Sequence, residues 1–180
     1  MSSDNRRMPR RIAEDAVFLL LALALAYIEA MIPLGAILPL PGFKPGLANI
    51  LVMILVFRGS AADGAVVSFL RVLIMGLLFG SPISMFFSFG GALLSWGMLV
   101  LLKKSCRNHL TFVGISVLSA VAHNVGQLIC AGVVFDFRVV GSYLPFLLFA
   151  SAIFGAVSGF LVNALYPHLE KLPFGGRKHE

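Results

Sequence analysis

Charge is scarce in this sequence: Asp, Glu, Lys and Arg make up 12% of 180 residues, where soluble domains carry about 25%. That shortage excludes an ordinary water-facing surface. Acidic groups are the rarer sign, and the aspartates Asp4, Asp15, Asp63 and Asp136 are scattered, which excludes the carboxylate cluster that holds magnesium against a diphosphate. Cysteine is limited to Cys106, in a basic stretch, and Cys130, inside an apolar one, so neither a disulfide framework nor a thiolate metal cluster is indicated. A phosphate-cradling glycine loop with its lysine is absent, as is a helical histidine pair with an intervening glutamate for zinc. The chain therefore reads as a non-enzyme, with no catalytic, cofactor or metal residues assigned.

What is present is apolar. Hydrophobic residues account for 59% of the chain and fall in blocks near the roughly 17 to 25 residues a bilayer-spanning helix needs. The spacing gives six segments: Ala16–Ile32, Leu47–Phe57, Ala61–Phe79, Ile83–Leu102, Phe112–Val134 and Tyr143–Leu165. Segment one is too long for a signal-peptide core and has no small-residue cleavage site after it, so it is read as retained. Segment two covers only roughly 16 Å, so it either borrows length from the preceding loop or is re-entrant. Pro33, Pro39, Pro41 and Pro45 with Gly42 and Gly46 keep the stretch between them out of regular helix.

The net charge of +6 does not point to nucleic acid, because the basic residues form short clusters between apolar blocks. Six crossings would put Arg6, Arg7, Arg10, Arg11, Arg58, Lys103, Lys104, Arg107, Lys171, Arg177 and Lys178 on one side, leaving Lys44 and Arg138 on the other. The positive-inside rule then makes both termini cytoplasmic. The expectation is an all-α, six-helix integral membrane protein of the cytoplasmic membrane, multi-pass. It reads as a single domain, with residues 1–15 a basic N-terminus, about 16–166 the bundle and 167–180 a cytoplasmic tail.

Ionisable groups inside a bilayer are costly, so they face a bundle interior or a cavity. Glu29, Asn49, Arg71, His123, Asn124 and Gln127 all map at the membrane midplane or outside it, beneath the Pro/Gly-rich loop that carries Lys44. Together they read as a substrate-binding cavity that opens outward. The alternative stays open residue by residue: Glu29 and Arg71 as a buried ion pair, His123, Asn124 and Gln127 as interhelical hydrogen-bonding glue, and Lys44 as a solvated loop lysine. Ala22, Ala26 and Ala30 form a small-residue stripe that lets another helix approach closely, in this chain or in a partner.

The stretches Pro41-Gly42-Phe43-Lys44-Pro45-Gly46-Leu47-Ala48-Asn49-Ile50 and Ala122-His123-Asn124-Val125-Gly126-Gln127-Leu128 resemble signatures of the Gx transporter family. That family is often labelled heptaprenyl diphosphate synthase component I and is similar to the S components of energy-coupling-factor transporters. Pro45 stands where the family pattern has leucine. The resemblance implies an S-component-like bundle binding a small metabolite such as a vitamin or related precursor. It also implies a coupling transmembrane subunit and cytoplasmic ATPases as partners, the former docking at Ala22 and Ala26. The family label carries a second expectation: a membrane accessory of isoprenoid or quinone biosynthesis, with the missing aspartates on a soluble partner.

Overall fold

The computed structural model describes residues 4–31, 46–105 and 110–170. Regular structure among the described residues is entirely helical: α1 (Asp4–Met31), α2 (Asn49–Arg58), α3 (Ala61–Phe79), α4 (Pro82–Ser105), α5 (Phe112–Val134), α6 (Phe137–Gly141) and α7 (Leu144–Glu170). Four of these, α3, α4, α5 and α7, are long and apolar enough to cross a membrane. Their outward faces are apolar too, with Leu77, Phe79, Leu101, Val133, Phe149 and Phe160 exposed, as suits a multi-pass membrane protein. Among the described residues, four of the six crossings expected from the sequence are thus matched. The other two candidates are α1, whose described residues end at Met31 and carry Glu14, Asp15 and Glu29, and α2, which has 10 residues.

Helix boundaries follow local chemistry. The hydroxyl oxygens of Ser60 and Thr111 accept from the amides of Asp63 and Gly114, both at 3.3 Å, capping α3 and α5. Pro82 opens α4, where its missing N–H costs nothing. Two ends differ from the sequence reading. Helix α1 begins at Asp4 instead of Ala16, taking in part of the expected polar N-terminus, and α7 runs through Pro167 to Glu170. Proline in a last turn removes only one terminal backbone bond. The short α6, set by Asp136 accepting from the amide of Arg138 at 2.7 Å, was not expected.

Helix α2 organises the bundle. Every residue from Ile50 to Phe57 is buried, which requires a helix that is apolar all round. It packs on α1, α3, α4 and α7, while α5 lies along both α4 and α7. The largest fully buried side chains, including Ile54, Leu55, Leu99, Ile115 and Val162, gather around it. Helix α2 turns directly into α3 at Gly59 and Ser60. Its 10 residues rise roughly 15 Å, against roughly 28 Å for the 19 residues of α3. Its N-terminus therefore stops about halfway up the bundle.

The other end of α2 is held from α4. The Lys103 ammonium donates to the carbonyls of Val56 at 2.7 Å and Gly59 at 2.9 Å, satisfying acceptors a helix C-terminus leaves open. Trp96 Nε1 donates to the carbonyl of Ala61 at 2.8 Å across the same turn. Lys103→Met is expected to lower stability by about 2 kcal/mol, the worth of losing charged hydrogen bonds, read as a fall in thermal midpoint of the purified protein. An unchanged midpoint would mean that water caps those carbonyls equally well.

Candidate functional site

Polar side chains begin where α2 ends. Helix α1 delivers Glu29 from one buried stripe that also contains Glu14, Phe18 and Ala22, residues four apart and hence on one face. Tyr27 lies against Phe79, the last residue of α3, with ring centroids 5.2 Å apart, so Glu29 sits toward that end of the bundle. Its carboxylate accepts from the backbone amides of Gly46 and Leu47, the latter at 3.3 Å. These amides precede the first turn of α2, whose positive dipole end favours a negative charge. Gly46 is at φ +82°, a left-handed conformation that glycine adopts without strain.

Arg71, near the middle of α3, completes the charge arrangement. Its guanidinium donates to Asn49 Oδ1 at 2.9 Å and is attracted electrostatically by Glu29. Both charged residues are buried, at 6% and 7% exposure for Glu29 and Arg71. The chain of contacts continues inward. Asn49 Nδ2 donates to Ser95 Oγ at 3.4 Å, and Ser95 Oγ shares a hydrogen bond of 2.8 Å with Ser119 Oγ. Asn49 thus joins α2 to α3 and α4, and the serine pair joins α4 to α5. Because α2 starts at mid-height, Asn49 lies at mid-depth instead of at the outer edge.

The remaining expected residues occupy the two seams of α5. His123 and Gln127, four apart, lie over Gly91 of α4, with a Cβ there falling 2.9 Å from His123 Cε1 and 2.8 Å from Gln127 Cγ. Ser119 is one turn before His123 on the same face, so this seam continues the polar chain. Asn124 points the other way, donating to Ser151 Oγ of α7 at 2.6 Å, and Ser151 Oγ donates to the carbonyl of Leu147 at 2.6 Å. The structure thus gathers Glu29, Asn49 and Arg71 at the start of α2, places His123 and Gln127 against Gly91 on the α4–α5 seam beyond Ser119, and assigns Asn124 to a separate seam. Lys44 lies outside the described residues.

Beside this chain is a cavity of about one water's volume, lined by Gly46 and Asn49 of the α2 entry, Ser116 and Ser119 of α5, and Gly155 and Ser158 of α7. No charged side chain among the described residues lines it. Sequence reasoning passed over these serines and Ser95, since serine is common in apolar helices. Their signal was spacing: Ser151 and Ser158 are seven apart, two turns along one face of α7. Among the described residues no group of three or more His, Cys, Asp or Glu could hold a metal ion. Of the alanine pair, Ala22 is fully buried in the chain's own core beside the α2 side chains, and Ala26 is half-buried. The stripe therefore packs inside the chain at Ala22 in this conformation.

A family model described as heptaprenyl diphosphate synthase component I matches residues 18–165. No curated protein and no solved structure matches the chain.

Proposed function

The chain belongs to the heptaprenyl diphosphate synthase component I family, also labelled the Gx transporter family, and from that premise we propose that it is a membrane-embedded substrate-binding subunit for uptake of a small metabolite. One observation carries this reading: a half-length helix whose N-terminus ends inside the bundle, surrounded by Glu29, Asn49 and Arg71. Interrupted helices that present a dipole end and polar side chains at mid-depth are how transporters build substrate sites. A purely structural role explains the arrangement less well, because buried charged groups in membranes are costly to retain.

In this reading α1 and α2 complete six crossings in the cell membrane, with both termini cytoplasmic. Supporting it, Arg11, Arg58 and Lys103 all gather at the end where α2 meets α3: Arg11 pairs with Asp63 at 3.2 Å, Arg58 with Glu14 at 4.0 Å, and Lys103 caps α2. Positive charge on one side marks the cytoplasmic face. Energy would come from a coupling membrane subunit and cytoplasmic ATPases, as in energy-coupling-factor transporters.

The family's description favours a second reading, a membrane accessory of heptaprenyl diphosphate synthesis that presents a lipid diphosphate to a soluble enzyme. The two separate cleanly by mass spectrometry of the tagged protein gently extracted from its native membrane. The transport reading expects ATPases and a coupling subunit among the co-purifying proteins. A prenyltransferase without ATPases would replace it with the biosynthetic reading.

A further inference from the structure

A serine hydroxyl within an apolar helix ordinarily folds back onto the carbonyl four residues earlier. Ser151 does so, with Leu147 at 2.6 Å. Ser158, two turns further along α7, does not: its Oγ is buried, with the residue 4% exposed, and has no hydrogen-bond partner among the described residues. It lines the cavity beside Gly46 and Asn49. A buried hydroxyl that forgoes an available bond is destabilising unless something fills the space and bonds to it.

We propose that this cavity is a hydroxyl-recognition subsite of the transported molecule, with Ser158 as its specificity-determining residue. This rests on the substrate-binding reading above and narrows it to a class of substrate, one carrying a terminal uncharged hydroxyl. Two features set the class. The space accepts one water-sized group, which fits a hydroxyl and excludes a carboxylate or phosphate. Among the described residues its lining offers hydroxyls and an amide but no charge, so an ionised group would find no counter-charge among them, at high cost. Glu29 and Arg71 lie outside the lining and are engaged with the amides of Gly46 and Leu47 and with Asn49. A serine can donate and accept at once, which discriminates a hydroxyl from a methyl group of equal size.

The test is affinity selection. Full-length protein in nanodiscs is incubated with the polar metabolite extract of the cells that make it, washed, and the captured masses are identified for wild type, Ser158→Ala and Ser158→Val. The captured compound is expected to carry a hydroxyl, with about tenfold less captured by Ser158→Ala and none by Ser158→Val, whose added methyl fills the space. Thermal midpoints of the stripped variants should equal or exceed wild type, because Ser158 bonds to no described residue that its removal would orphan. Equal capture by wild type and Ser158→Ala, or a captured compound without a hydroxyl, overturns the subsite and leaves a buried water as its only occupant, with the transport reading intact. No capture by wild type would instead count against the substrate-binding reading itself, and the subsite would fall with it.

Discussion

Arg71→Met is expected to destabilise the protein by about 3 kcal/mol, because it removes the positive member of a buried charge arrangement and leaves the other behind. The lost contacts are the hydrogen bond to Asn49 Oδ1 at 2.9 Å and the attraction of Glu29. The remaining Glu29 carboxylate keeps its bonds to Gly46 and Leu47, but it loses the attraction of the Arg71 charge in an apolar interior. Charge coupling, as distinct from loss of arginine packing, is shown by Glu29→Gln/Arg71→Met. With both charges gone, most of the lost stability should return, measured as thermal midpoints of all four proteins in one detergent. A double variant no more stable than Arg71→Met would mean that the two residues act independently.

Gly126→Leu is expected to prevent stable folding, and Gly126→Ala to cost about 4 kcal/mol or more, in the range reserved for severe steric or core defects. A Cβ at Gly126 would lie 2.3 Å from the Gly90 carbonyl oxygen, 2.8 Å from its carbon and 3.0 Å from the Gly91 Cα. All three are backbone atoms, which cannot rotate away as a side chain can. Helices α4 and α5 would have to separate, breaking the Ser95–Ser119 hydrogen bond and lifting His123 and Gln127 off Gly91. Close approach through small residues is how helices associate in lipid, where burial of apolar surface supplies little. Gly97 on the same α4 is the control, since nothing lies within 4 Å of a Cβ there. Gly97→Ala should fold normally and gain slightly in helix propensity. Size-exclusion profiles of the three variants decide the matter: a monodisperse Gly126→Leu would refute the tight seam.

The candidate site was partly legible in the sequence. Glu29, Asn49 and Arg71 stood out because charge and amide groups are conspicuous in apolar blocks, and the structure gathers them at the start of α2, with Arg71 bonded to Asn49 and Glu29 bonded to the amides just before it. Ser95, Ser119 and Ser158 did not stand out, since a serine in an apolar helix is usually satisfied by its own backbone. Only the position of a neighbouring helix reveals that it is not. Asn124 illustrates the opposite limit. It adjoins His123 in sequence, yet one step around a helix turns it about 100° to a different neighbour, Ser151.

By itself the sequence determined the medium and most of the helices. Scarce charge and bilayer-length apolar blocks leave lipid as the fitting solvent, and proline, glycine and capping residues place α3, α4 and α5 within a few residues of their observed bounds. Only the tertiary structure decided depth and partnership. It showed that α2 stops at mid-height, that Ala22 faces the chain's own core, and that a hydroxyl-lined cavity lies beside Ser158. The physical reason is that spacing along the chain fixes which face of a helix a residue occupies. What that face meets is set by packing against helices distant in sequence.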